Sequence, residues 1–163
     1  MTDHTRNGVR AGRILIVDDE KAIREVIAAM LAPANYGCRE AASGLEALGM
    51  LESGEEFDLM LTDLMMSDLD GIALLERSKD KYPLMPVVIV TAVQDISVAL
   101  AAIRCGAQDY LTKPFEREQL LAVVRRALEC RRAKLEHRAY VSSLESQVAR
   151  LTEQLRGRIP EKK

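Results

Sequence analysis

The chain has no tryptophan, and only two phenylalanines and four tyrosines stand among its 163 residues. Its basic C-terminal stretch has neither interleaved aromatics nor a recognised reading motif, so direct nucleic-acid binding is not expected. Three cysteines, Cys38, Cys105 and Cys130, lie far apart with no C-x-x-C pair. An odd, scattered count argues against a disulfide framework and fits a reducing, cytoplasmic setting. Residues 1–13 are polar and lack the apolar core of a signal peptide. No apolar run approaches the roughly 18 to 20 residues of a membrane span, so no membrane association is expected. The first strand-to-helix turn reads Asp18-Asp19-Glu20 where a glycine-rich phosphate loop would stand, which argues against a nucleotide-binding module.

What is present is a hydrophobic fraction of 48%, enough for a full core in one domain plus an appendage. The formal net charge of −2 hides a split. From Arg125 onward eleven Lys/Arg stand against five Asp/Glu, so an acidic body precedes a mildly basic tail.

Strand-length apolar runs alternate with helical periodicity. Arg13–Val17 is a β-branched run ending in Asp18-Asp19-Glu20, and Ile23, Val26, Ile27, Met30 and Leu31 then recur at helical steps until Pro33. Residues 36–41 form a weaker, edge-type strand. Ser43 with Glu46 is a capping box opening a helix that carries Leu45, Leu48 and Leu51. Phe57 to Asp63 holds the buried run Leu59-Met60-Leu61 and ends in a carboxylate. A helix over 71–81 follows, with Asp68 and Asp70 as its caps. Val87–Val90 is a fourth strand ending at Thr91, and Asp95 caps the next helix. Residues 108–111 make a short fifth strand before Thr112-Lys113-Pro114-Phe115 and a long helix. Five such units predict an α/β fold: a flavodoxin-like, doubly wound, five-stranded parallel sheet of order 2-1-3-4-5 with an extended C-terminal helix.

In such sheets the ligand crevice lies beyond the carboxyl ends of the strands. Asp18, Asp19, Asp63, Thr91 and Lys113 converge there. Carboxylates crowded in one crevice repel unless a cation joins them, and hard oxygen donors suit Mg²⁺. Lys113 can pair with Asp63 or a phosphoryl group, and the Thr91 hydroxyl can bond a phosphate oxygen. Asp63 is the candidate nucleophile that accepts a phosphoryl group.

Val-Asp-Asp-Glu at 17–20, Thr-Asp-Leu-Met-Met at 62–66, Val-Thr-Ala at 90–92 and Gly-Ala-Gln-Asp-Tyr-Leu-Thr-Lys-Pro-Phe at 106–115 resemble the receiver domain of two-component response regulators, the CheY-like superfamily. The resemblance covers about residues 12–130, and four motifs in order make it specific. It implies phosphoryl transfer from a histidine kinase or phosphotransfer protein to Asp63 with Mg²⁺ bound. Asp19, Asp63 and the Met65 backbone carbonyl would ligate the ion directly, and Asp18 mainly through water. Thr91, Ala92 and Lys113 would meet the phosphoryl group, and Tyr110 would turn inward behind Thr91. The Lys113–Pro114 bond would be cis. Met65 and Val93 would flank the path of the attacking water, and two apolar groups there imply a long-lived phosphoform. Such a chain is no enzyme beyond its own phosphorylation and dephosphorylation. A phosphatase of the haloacid-dehalogenase type also uses an aspartyl nucleophile, but it needs a second aspartate where Met65 stands, and a cap domain.

The expected organisation is a flexible lead-in at 1–12, a receiver at 13–130, a helical coiled-coil extension at 131–156 and a flexible end at 157–163. Leu121, Val124 and Leu128 are the expected receiver-packing stripe. Val141, Leu144, Val148, Leu151 and Leu155 step by three and four as a heptad seam, so a homodimer through the C-terminal helix is expected. The two stretches are out of register, which places a discontinuity near His137. His4 and His137 are expected to be solvated. Two other readings stand beside the main one: the N-terminal part of a larger regulator with a catalytic output domain, or a permanent coiled-coil dimer with little response to phosphorylation.

Overall fold

The alternation read from the sequence becomes a single parallel sheet in the computed structural model, which describes residues 10–158. The elements are β1 Gly12–Val17, α1 Lys21–Leu31, a 3₁₀ turn Ala32–Ala34, β2 Tyr36–Ala41, α2 Gly44–Glu52, β3 Leu59–Thr62, α3 Gly71–Lys81, β4 Val87–Thr91, α4 Ile96–Arg104, β5 Asp109–Thr112 and α5 Arg117–Arg156. All pairings are parallel, in the order β2-β1-β3-β4-β5. The fold is the expected doubly wound α/β sheet.

Each strand alternates its side chains between two cores. Leu15, Val17, Met60, Val87 and Ile89 pack with Ala47, Leu51, Leu74, Leu75 and Ala102 of α2, α3 and α4. Ile14, Ile16, Leu59, Leu61, Val88 and Val90 pack with α1 and α5 on the other face. The central strands are therefore apolar from Ile14 to Val17, Leu59 to Leu61 and Val87 to Val90, as burial on both faces requires, with Thr62 and Thr91 closing β3 and β4. Each fully buried leucine or isoleucine contributes about 1.5–3 kcal/mol.

Several local readings shift. β1 starts at Gly12, because that residue already pairs with Tyr36, and the preceding Ala11 N–H donates to the Asn35 carbonyl. Residues 1–9, with His4, and 159–163 lie outside the described residues. Val26 and Leu45, placed on apolar stripes by their spacing, are exposed, and Ala47 takes the buried position on α2. α5 buries Leu120, Val123 and Ala127 beside Leu121 and Val124, a wider stripe than the expected one. Ser43 caps α2 by accepting the Glu46 N–H, but the Glu46 carboxylate reaches back to the Ala42 N–H. Asp70 caps α3 through the Ala73 N–H, whereas Asp68 accepts the Leu45 N–H and so serves α2 instead.

The amino end of the sheet is closed by charge. Asp58 accepts the Arg13 N–H at 2.7 Å and pairs with Arg131 at 3.0 Å. Glu55 pairs with Arg13 at 2.7 Å and with Arg39 at 3.4 Å. On β2, burial and then the charge of Glu40 push the Cys38 thiol up to about 11, so it stays protonated near neutrality.

The chain divides into two compact units, residues 1–131 and 132–163. Described residues 132–156 of the second unit are helical throughout, with no break at His137. The register change there belongs to the side-chain pattern, because nothing in the local sequence ends the helix. No helix among the described residues is long and apolar enough to cross a membrane.

Candidate functional site

The carboxyl ends of β1, β3, β4 and β5 bring together Asp18, Asp63, Thr91 and Lys113. Asp18 is 1% exposed and Asp63 is 7% exposed, although both carry charge. Such groups need partners, and each has them. Asp18 accepts the Glu20 N–H through Oδ1 at 2.9 Å and the Lys113 ammonium through Oδ2 at 2.6 Å. Asp63 Oδ1 accepts the N–H groups of Leu64 at 2.7 Å and Met65 at 3.4 Å. Its Oδ2 lies 3.4 Å from Lys113 Nζ.

Lys113 therefore bridges the two aspartates, with Asp18 as the closer partner. Burial pulls its ammonium toward the neutral form. The hydrogen bond to Asp18 and the charges of Asp63 and Asp18 outweigh that and hold it above the ordinary lysine value. The Lys113–Pro114 peptide is cis.

Thr91 is buried at the end of β4, and its Oγ1 accepts the Val93 N–H at 3.4 Å. Ala92 beside it is exposed. The Val93 carbonyl accepts the Tyr110 hydroxyl at 2.6 Å, so the Val93 backbone links the two side chains. Burial and then the charges of Asp95 and Asp63 raise the Tyr110 phenol above its usual range. Met65 is 66% exposed.

Asp18, Asp19 and Glu20 offer carboxylate oxygens within 4.8 Å of one another. All are hard donors, with no histidine or cysteine among them, and the set fits a divalent ion such as Mg²⁺. Asp63 is not part of this trio, and its Oδ2 shares the Lys113 ammonium with Asp18.

Three features of the site go beyond the motif residues. Glu20, the last acid of the Asp-Asp-Glu run, brings its carboxylate to Asp18 and Asp19. Arg24 of α1 donates to the Asp18 backbone carbonyl at 2.7 Å and to Glu40 at 3.2 Å, a tie between β1 and β2 that no local pattern announces. Gly71 opens α3 against the loop after β3: its N–H donates to the Leu64 carbonyl, and a Cβ there would lie 2.3 Å from the Asp63 carbonyl oxygen.

A family model of the response regulator receiver domain matches residues 14–125. The chain belongs to the response regulator receiver family. Among relatives, the DNA-binding transcriptional regulator NtrC of Escherichia coli is 39% identical over 120 residues, which cover 74% of this chain and 25% of that protein. A putative NtrX-like response regulator of Rickettsia felis is 39% identical over 126 residues, 76% of this chain and 26% of the relative. The chain thus spans about a quarter of the length of the curated relatives it matches. The crystal structure of the receiver domain of NtrX from Brucella abortus superposes with a TM-score of 0.67 at 38% identity, covering 71% of this chain and 98% of that one. A signal receiver domain of an HD domain-containing protein from Pseudomonas fluorescens gives 0.71 at 31% identity, covering 77% and 99%. The receiver fold and the two-component response regulator family are common to these proteins and to this chain.

Proposed function

We propose that Asp63 is the phosphoacceptor of this receiver and that a histidine kinase or phosphotransfer protein is the donor. The observation that carries the reading is the Asp63 carboxylate itself. It is buried at a strand end, and two backbone N–H groups hold Oδ1. Oδ2 has only the long contact to Lys113 and is the nucleophile. Its lone pair forms the new P–O bond while the bond from phosphorus to the donor's imidazole nitrogen breaks, and that nitrogen keeps the electron pair. Lys113 offsets charge on the phosphoryl oxygens. Asp19, Asp63 and the Met65 carbonyl would hold Mg²⁺ directly and Asp18 mainly through water, with the Glu20 carboxylate close to Asp18 and Asp19. When bound, the ion neutralises the negative charge that the carboxylates and the phosphoryl group bring together.

A phosphoryl group adds roughly −1.5 to −2 charge beside Thr91. Drawing the Thr91 hydroxyl toward it loosens the bond from the Val93 N–H and moves the carbonyl that Tyr110 holds. The switch is a population shift between two arrangements of this Thr91–Val93–Tyr110 link. Apart from this self-phosphorylation and dephosphorylation the chain is not an enzyme. Direct nucleic-acid binding is no part of the reading. Its setting is the cytoplasm, and its other partner, along the C-terminal helix, is a second copy of the chain.

Incubation with a small phosphodonor and Mg²⁺ tests the core of this reading. Intact mass should rise by one phosphoryl group, the increase should need the divalent ion, and Asp63→Asn should abolish it. Phosphate recovered on another residue, or undiminished incorporation in Asp63→Asn, would refute the assignment.

A further inference from the structure

The loop between β3 and α3 carries both the Asp63 carboxylate and the Met65 carbonyl, and its parts are held in different ways. At the strand end the Asp63 N–H donates to the Val17 carbonyl at 2.9 Å, and Asp63 Oδ1 accepts the Leu64 and Met65 N–H groups. At the helix end the Gly71 N–H donates to the Leu64 carbonyl at 2.9 Å. Among the described residues, no backbone-to-backbone hydrogen bond involves positions 66–69. That stretch is fastened instead to the first turn of α2. Asp68 Oδ2 accepts the Leu45 N–H at 3.0 Å. This bond foremost, then the N–H groups of Leu69 and Asp68 itself and the Ser43 hydroxyl, outweigh desolvation and hold the Asp68 carboxyl below its ordinary range. A negative charge at the N-terminus of α2 is also favoured by the helix dipole. Beside it, a Cβ at Gly44 would lie 2.9 Å from both the Leu69 Cβ and the Leu69 carbonyl oxygen, so only glycine lets helix and loop approach this closely.

We infer that Asp68 is a positioning residue for the metal site: by fastening the loop to α2 it holds the Met65 carbonyl ready for the ion. The inference rests on the proposed reading in which that carbonyl and Asp63 ligate Mg²⁺. Asp68 touches neither the ion nor the phosphoryl group in that reading. It acts on the loop before the ion arrives, because a backbone already ordered loses less freedom on binding. Met66 and Leu69 pack partly against the core as well. Apolar contact is non-directional, however, and does not fix a backbone as a hydrogen bond does.

Calorimetric titration of Mg²⁺ into the full chain tests this, alongside hydrogen exchange of residues 64–69 without the ion. In Asp68→Ala the dissociation constant should rise roughly tenfold, the lower end of what groups orienting a metal ligand contribute, and those amides should exchange faster. Asp68→Asn keeps a carbonyl oxygen for the Leu45 N–H and should recover most of the affinity. Glu46→Ala removes the carboxylate that accepts the Ala42 N–H at the same helix end. It leaves the Asp68 bond in place, so its Mg²⁺ affinity should match the wild type's. Gly44→Ala, which pushes on the Leu69 carbonyl, should weaken binding as Asp68→Ala does and serves in its place if that variant fails to fold. With a small phosphodonor, the Mg²⁺ concentration for half-maximal phosphorylation should rise in Asp68→Ala, while the rate at saturating Mg²⁺ stays near the wild-type value. Equal Mg²⁺ affinity in Asp68→Ala and the wild type would overturn the positioning role and leave the metal site standing. An Asp68→Asn variant as weak as Asp68→Ala would assign the effect to charge rather than to the Leu45 bond, and equal weakening in Glu46→Ala would assign it to the stability of α2; either would overturn the fastening. Absence of Mg²⁺ binding by the wild type would overturn the metal reading itself, and the role of Asp68 with it.

Discussion

Lys113 Nζ stands 2.6 Å from Asp18 Oδ2 and 3.4 Å from Asp63 Oδ2. The lysine thus belongs first to the carboxylate at the end of β1. Removing it leaves two buried acids facing each other. Lys113→Ala should lose about 3 kcal/mol of stability without divalent ions, because breaking one partner of a buried pair strands the other charge. Mg²⁺ should stabilise the variant more than the wild type. Urea titrations with and without the ion measure both effects.

The raised Lys113 value has a definite sign in pH. A base whose folded value lies above its unfolded one stabilises fully below the unfolded value, about 10.4 for lysine, and loses that stabilisation as pH rises through the folded one. Stability should therefore fall above about pH 10.4 more steeply in the wild type than in Lys113→Met. The Tyr110 phenol, also raised, contributes in the same direction, so Tyr110→Phe is the needed background. Urea midpoints across the alkaline range that fall in parallel for both proteins would contradict the lysine's part.

Gly71 carries no side chain because the Asp63 carbonyl occupies its place. Gly71→Ala must displace backbone rather than a flexible side chain. A loss of about 2 kcal/mol is expected from overpacking, together with slower phosphorylation from a small phosphodonor. A variant with wild-type stability and rate would show that the loop yields freely.

Much of this was legible before any coordinates. Continuous apolar runs such as Leu59–Leu61 announce strands buried on both faces, and helical spacing announces the crossovers, so a parallel doubly wound sheet follows from alternation and handedness, with 2-1-3-4-5 as the natural choice of order. The acids and Lys113 stood out because each lies where a strand run stops. Arg24 and Gly71 stayed hidden, since their contacts are with backbone carbonyls that only the fold brings near. Asp68 misled because an acid just before a helix can reach a neighbouring helix as easily as its own.

Arg24 joins the Asp18 carbonyl to Glu40 while 12% exposed. Arg24→Ala should cost about 2 kcal/mol, the scale of a partly buried hydrogen bond from a charged donor. It should also weaken Mg²⁺ binding, because the Asp18–Glu20 turn loses its tether. Calorimetric titration of the ion into both proteins measures the second effect, and equal affinities would assign Arg24 to stability alone.

Met65 and Val93 offer no hydrogen bond from their side chains to a water approaching Asp63. The phosphoform should persist for minutes or longer, and Met65→Asn should shorten it. Decay within seconds in the absence of a phosphatase, followed by intact mass, would contradict this.

The ion pairs at the amino end of the sheet have a practical corollary. Arg13, Glu55, Asp58 and Arg131 tie that rim together, while the reactive groups occupy the opposite one. A tether or label introduced on the solvent side of Glu56 would leave the acidic rim open to a donor. Receivers immobilised in that orientation could present a uniform, addressable surface for measuring how fast each candidate kinase docks.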